Sequence, residues 1–317
     1  MDPPRQRPML PTMEPTRVPL PQIPGYRIER LLGRGGMGSV FLGAQLSINR
    51  QVAIKIPHAA RLKNPADVES FIREARAACQ LSHPGLVAVH DLIHDPTTGM
   101  HACVMEYAPG RTAAQIVDTD GPLPLAQALN FAGQTAAALA HAHAHGFVHR
   151  DVKPDNLIVS PHGTVKLVDL GLVHNRIGGL SSSSSTTRNR RLVLVGTPEF
   201  AAPEQCCNPE EADETSDVWS LGATLFYLLT GRPPFDGTTV IDLIINAATK
   251  PLELPPHLGT HVRQLLETFL AKDPDQRYAD ATIAGEALAA VAAGRAPLRP
   301  DGSARPRRRR LPRRRMR

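Results

Sequence analysis

No apolar run in this 317-residue chain reaches the roughly 18 residues that a membrane-spanning helix needs. Cysteine is scarce. Cys79, Cys103, Cys206 and Cys207 make no CxxC pair, which favours free thiols in a reducing compartment. The N-terminus has charges and prolines but no continuous apolar segment, so it does not read as a secretory signal. Together these absences point to the cytoplasm. No internal repeat is evident. What is present is a globular composition, 42% hydrophobic and 21% charged, in a chain long enough for one large domain or two lobes. The net charge of +6 misleads as an average. Pro297–Arg317 holds ten arginines and one aspartate, a local +9, so the remainder of the chain carries −3.

Residues 1–25 are crowded with proline and read as a disordered, partly polyproline leader. Order begins at Tyr26, with a strand, a glycine-rich turn and a second strand. Tyr26, Ile28 and Leu32 fit one face of the first strand, and Val40 and Leu42 share a face of the second. In the third strand Val52, Ile54 and Ile56 alternate with Ala53 and Lys55, so a small residue and a lysine share a face. Asn64 and Pro65 announce a helix whose apolar stripe is Val68, Phe71, Ile72, Ala75 and Cys79, with Glu74 at its margin. Strands are expected near Leu86–Leu92 and His101–Tyr107. Pro109–Gly110 then breaks the chain, and the pattern turns helical. Helices are expected at Leu125–His145, Ser216–Thr230, Val240–Ala248, His261–Ala271 and Ala281–Ala293. His141, His143, His145 and His149 invite a metal reading, but a spacing of two on a helix spreads side chains around the axis.

The chemistry concentrates in His149–Gly171, HRDVKPDNLIVSPHGTVKLVDLG. Asp151 can accept a proton from a hydroxyl, Lys153 can neutralise charge, and Asn156 and Asp169 supply the oxygen ligands that Mg²⁺ prefers. Transfer of a phosphoryl group from ATP needs that collection. Upstream, Gly33, Gly35 and Gly38 lie between two strands, where a backbone without Cβ atoms can approach phosphate. This GxGxxG does not open a helix, which argues against a dinucleotide-binding turn. Lys55 is the candidate for the α- and β-phosphates, and Glu74 for its counter-charge.

Taken in order, GRGGMGSV, VAIK, the Glu of FIREAR, MEY, HRDVKPDN, DLG, GTPEFAAPE, DVWSLG and KDPDQRY resemble a bacterial, eukaryotic-like serine/threonine protein kinase over about Tyr26–Ala293. The resemblance implies an α+β, two-lobed fold: a β-rich N-lobe with one key helix at 26–107, and a mainly helical C-lobe at 108–294. A disordered Arg-rich tail follows at 295–317. It implies ATP and Mg²⁺ in the cleft, with Asp151, Lys153, Lys55 and Glu74 as the catalytic set and Asn156 and Asp169 on the metal. ATP would meet Leu32, Gly33, Gly35, Gly38, Val40, Ala53, Lys55 and Ile158. Met105 would be the gatekeeper, and Glu106 to Ala108 the hinge that binds adenine. Lys153 and Thr197 resemble the serine/threonine subgroup, with protein hydroxyls as acceptors. Glu204 would pair with Arg277, Asp217 would brace the catalytic loop, and His143 occupies a packing position.

Two places depart from the family pattern. Leu170 stands where phenylalanine is common; it can still pack beside His149. The stretch between Gly171 and Pro198 holds four arginines and no acid, and its SSSSSTT at Ser181–Thr187 lies further from the GT pair than family acceptor sites do. Autophosphorylation there and a solvated polar linker are both open. The arginine tail reads as a contact for nucleic acid or ribosomes, as a contact for anionic lipid or acidic protein, or as a plain disordered terminus. No aromatic residue interleaves its arginines, which leaves base stacking without support. A nucleotide-binding scaffold without turnover is the alternative from another class, although no catalytic group is missing. A third is a nucleic-acid-associated protein acting through the tail.

Overall fold

The computed structural model describes residues 20–36, 38–59, 62, 65–96, 98–169, 198–208, 212–298 and 300, with the backbone alone at Ala66, Ser70 and Glu74. Residues 1–19 of the leader, most of the tail, Asn64, Leu170, Ser181–Thr187 and Thr197 lie outside these residues; the last part of the expected leader is ordered, with Ile23 buried and Tyr26 N donating to Ile23 O at 3.1 Å.

The first strands are β1 (Tyr26–Gly35), β2 (Gly38–Gln45) and β3 (Arg50–Pro57). Helix α1 (Pro65–Ala78) follows, then β4 (Val89–Asp95) and β5 (Met100–Glu106). The five strands form one antiparallel sheet in the order β1-β2-β3-β5-β4. The alternation read in the third strand divides two cores. Val52 and Ile54 join Ile23, Ala102 and Val104 in a small cluster on one side, with Ile56 packed against it. Ala53 faces the other way with Cys103 and Met105, into the core that continues through the helices.

Below the sheet come β6 (Arg111–Thr112), α2 (Ala113–Asp120), α3 (Leu125–Ala144), β7 (Leu157–Val159) and β8 (Val165–Leu167). The remaining helices are α4 (Pro203–Cys207), α5 (Glu214–Thr230), α6 (Val240–Thr249), α7 (Thr260–Phe269) and α8 (Ala281–Ala292). Strands β6-β7-β8 form a second small sheet. Helix α5 is buried on nearly every side, from Thr215 through Leu229, so it forms the centre of the helical lobe. An antiparallel sheet above a mainly helical body is an α+β arrangement of two lobes.

Several expectations need correction. The fourth strand begins at Val89, not Leu86, because residues 85–87 are engaged elsewhere: Val87 N donates to Leu167 O at 3.1 Å and Leu167 N to Gly85 O at 2.8 Å. Tyr26, Ile28 and Leu32 do not share one face. Register breaks between Ile28 and Arg30 and between Leu31 and Gly33 interrupt the alternation, and Leu32 is left exposed. Cys79 lies just past α1 and is exposed, while Ala78 is buried in its place. Helix α2 was not anticipated, although Thr112 and Gln115 form a capping box that satisfies its first turn. The spacing-of-two reading of the histidines overlooked that His141 and His145 stand four apart. Their ring centroids lie 4.5 Å from each other, and His83 stacks on His141 at 5.3 Å. Among the described residues no group of three His, Cys, Asp or Glu side chains is placed to hold a metal ion.

Candidate active site

The glycine-rich hairpin forms the roof of the cleft. Gly33 pairs with Val40 and Gly35 with Gly38, closing the turn tightly. At its turn the hairpin needs glycine for packing at Gly38, where a Cβ would lie 2.3 Å from the carbonyl oxygen of Ile56. Around the Cβ positions of Gly33 and Gly35 there is open space, so the backbone there can be approached closely. Val40 pairs with Lys55 across β2–β3, and Ala53 with Met105 across β3–β5. The residues expected around a purine thus meet on one face of the sheet. Ile158, also expected there, lies on β7, half-buried and paired with Lys166 of β8.

Lys55 is buried, and its Nζ lies 2.7 Å from Asp169 Oδ1. The sequence reading assigned its counter-charge to Glu74; that side chain lies outside the described residues, and the observed partner is Asp169. Burial works against the charged form of Asp169, but Lys55 beside it, helped by Lys153, reverses the balance and holds its carboxyl below the ordinary carboxylate value. Burial pushes the Cys103 thiol, opposite Lys55 on β5, up to about 12, so it stays protonated.

The floor is the loop from His149 to Asn156. Lys153 Nζ lies 2.9 Å from Asp151 Oδ2, and Asn156 Nδ2 donates to the same oxygen at 2.9 Å and to Asp151 O at 2.7 Å. With both amide hydrogens committed, the Asn156 amide is fixed and its oxygen is the group left for a ligand. The loop backbone is held from below. Asp217, fully buried on α5, accepts from His149 N and Arg150 N, each at 2.7 Å, and meets His143 Nε2 at 2.9 Å. Burial alone would raise the Asp217 carboxyl; His143 and the loop amides bring it below its ordinary value. His149 Nε2 donates to Val168 O at 3.1 Å, which frees Nδ1 to accept from Asp151 N at 3.2 Å. Arg150 and Asp169 both have left-handed backbone, φ 66° and 59°, a conformation non-glycine residues keep only where their surroundings fix it.

The strand leading to the hinge is fixed by an ion pair the sequence did not suggest. Lys166 Nζ lies 2.8 Å from Glu106 Oε1, and Ala88 N donates to Glu106 Oε2. Met105 is buried just before it, and Ala108 packs partly against the main core. Beneath the cleft, Arg277 makes two bonds to Glu204, at 2.7 and 3.0 Å, with its guanidinium 4.7 Å above the Trp219 ring. A separate 540 Å³ cavity lies between the α2–α3 connection and the β7–β8 turn, lined by Pro122, Leu123, Phe131, Val159 and Pro161. None of the candidate site residues lines it.

Lys55, Asp151, Lys153, Asn156 and Asp169, separated by up to 114 positions, therefore form one charged cluster between a glycine-rich roof and a clamped loop. Comparison with known proteins agrees with this geometry. The family model described as protein kinase domain matches residues 26–289. Serine/threonine-protein kinase PknA of Mycobacterium tuberculosis is 35% identical over 280 residues, covering 87% of this chain and 63% of that protein. Serine/threonine-protein kinase PknB of Mycobacterium leprae is 35% identical over 87% of this chain and 44% of its own length. Serine/threonine-protein kinase PrkC of Bacillus subtilis is 34% identical over 80% of this chain and 38% of its own. The chain thus spans less than two-thirds of each of these relatives. From the ordered motifs, the clamped loop and the family match together, the chain belongs to the protein kinase domain family.

Proposed function

We propose that this chain transfers the γ-phosphoryl group of ATP to serine or threonine hydroxyls of proteins. One observation carries the reading: Lys153 and Asn156 converge on the Asp151 carboxylate in a loop whose backbone is already fixed, next to the Lys55–Asp169 pair. In this reading Asp151 orients the acceptor hydroxyl and takes its proton, and Lys153 neutralises charge that develops on the transferring group. Lys55, with Glu74, holds the α- and β-phosphates. Leu32, Gly33, Gly35, Gly38, Val40, Ala53, Met105, Glu106, Ala108 and Ile158 enclose the nucleotide. Because phosphoryl transfer is mostly positioning and charge neutralisation, a rigid floor suits it.

The Asn156 amide oxygen and the Asp169 carboxylate are hard oxygen donors and fit a divalent cation of the magnesium type. Bound there, Mg²⁺ would neutralise phosphate charge. The further readings are that 26–107 and 108–294 act as two lobes, that Ser181–Thr187 accept phosphate in cis or in trans, and that the chain works in the cytoplasm. The arginine tail would meet an anionic partner. Among the described residues no helix is long and apolar enough to cross a membrane.

The test is phosphate transfer from ATP to a general protein acceptor by wild type and Asp151→Asn. A loss of at least about a hundredfold is expected; equal activity in the two would overturn the reading. Mass spectrometry after incubation with ATP examines Ser181–Thr187, and unmodified residues in active enzyme would remove autophosphorylation.

A further inference from the structure

Helix α4 presents one polar side chain to the catalytic loop that neither the motif reading nor the mechanism uses. Gln205 is 1% exposed, and its Nε2 donates to the carbonyl oxygen of Arg150 at 2.6 Å. A carbonyl can only accept, so this contact fixes which way the amide points. Its Oε1 is buried and has no partner among the described residues. Burying an amide is costly unless it is well bonded. The bond to Arg150 is therefore what the Gln205 amide contributes at this position.

The carbonyl it holds belongs to the peptide unit between Arg150 and Asp151. That plane also contains Asp151 N–H, which donates to His149 Nδ1. Its orientation sets the direction in which Asp151 leaves the backbone. The residue before it, Arg150, sits at φ 66°, a conformation a non-glycine residue leaves readily when released. Asp217 fixes the preceding amides, His149 N and Arg150 N, but does not touch this carbonyl bond. Gln205 is itself well supported. The neighbouring Glu204 is bound by Arg277 and accepts from Ser216 Oγ at 2.8 Å, so α4 is pinned to the helical body.

We propose that Gln205 is a positioning residue for Asp151: it locks the Arg150–Asp151 peptide plane and thereby aims the carboxylate at the acceptor hydroxyl. This rests on the reading of Asp151 as the base. Small displacements of a catalytic group cost large factors in rate, so the effect belongs to kcat and not to nucleotide binding.

The experiment compares wild type, Gln205→Met, Gln205→Glu and Asp151→Asn in phosphate transfer at pH 8, with binding of a non-hydrolysable ATP analogue measured on each. Methionine keeps the length and removes the donor. Glutamate keeps the shape but, when ionised, can only accept, which opposes the Arg150 carbonyl. The expected result is a kcat about tenfold lower for Gln205→Met and lower still for Gln205→Glu, with KM for ATP within about twofold of wild type. If shape alone mattered, glutamate would be the better-tolerated replacement, and that order overturns the proposal. Wild-type kcat in Gln205→Met overturns it as well. Full activity in Asp151→Asn would instead remove the reading on which it rests. Should Gln205→Glu lose analogue binding through misfolding, Gln205→Asn, which withdraws the donor by one methylene without adding charge, answers the same question: unchanged kcat there also overturns the proposal.

Discussion

The roof and the floor of the cleft are built on opposite plans. Beyond Ile28 every residue of β1 is exposed, Leu31 and Leu32 included, and nothing lies within 4 Å of a Cβ placed on Gly33 or Gly35. On the floor, His149, Asn156, Gln205 and Asp217 are buried, and the backbone amides of residues 149–151 each have a named acceptor. Packing holds the floor before any ligand arrives. Beyond its ladder with β2, the exposed part of β1 has little packing of its own, as expected of a segment of low local stability. Groups that must meet a developing charge belong on the floor, where no reorganisation is needed at the moment of reaction.

The sharpest way to break this contrast is Asp217→Ala, which removes the acceptor for His149 N and Arg150 N and strands His143. We expect a loss of about 3–5 kcal/mol in unfolding free energy, with a fall in kcat of at least about a hundredfold, read by denaturant titration and initial rates. Acid should act on the same region. The Glu204, Asp217 and Asp169 carboxyls all sit below their ordinary values, so the unfolded chain binds more protons than the folded one as pH falls. Stability should therefore be present above the ordinary carboxylate range and decline below it, and Glu204→Gln should flatten that decline in an unfolding series from pH 7 to pH 3. His143 has the opposite sign. Burial lowers it, but Asp217 more than compensates, so its contribution is present below the ordinary histidine value and fades as pH climbs through the raised one.

On the roof the expected effects are smaller. Gly38→Ala drives a Cβ into the Ile56 carbonyl and should cost about 1–3 kcal/mol, with a weakened KM for ATP as β2 shifts. Gly35→Ala meets open space and should leave stability within about 0.5 kcal/mol, as should Leu32→Ala. A stability loss for Gly35→Ala as large as that for Gly38→Ala would mean that the roof is packed, and the contrast would fall.

What could be read from the chain alone follows the range of the interaction concerned. The two faces of β3 were legible because period-two alternation is local, and Ala53 and Lys55 do part from Val52 and Ile54. Helix α3 was legible because Gly146, at φ 74°, stops it within a residue of the expected end. The T-x-x-Q of Thr112–Gln115 was also there to be read. The breaks in β1 were not, since nothing in RIERLLG announces an extra residue. The Lys55–Asp169 pair crosses 114 positions and depends on how two lobes meet. Gln205 carried no signal: it follows a familiar triplet, and its importance comes from a carbonyl 55 positions away. Family resemblance supplied what local pattern could not, namely that the scattered motifs converge.

The short stretch that delayed the start of β4 has a kinematic consequence. Apart from the Lys55–Asp169 pair in the cleft, the sheet is tied to the helical lobe along residues 85–87, which bond to β8, and at the strand end by Glu106, whose carboxylate takes Lys166 of β8. Lys166 bridges both, reaching Glu106 and Leu86 O. A rigid plate attached along one line keeps a single easy freedom, rotation about that line. Residues beside this axis travel little, and displacement grows with distance from it. Sheet order puts β5 and β4 at the attached side and β1–β2 at the far edge. The hairpin that carries the glycines therefore sits at the end of the longest lever, and a few degrees at the axis suffice to raise or lower it.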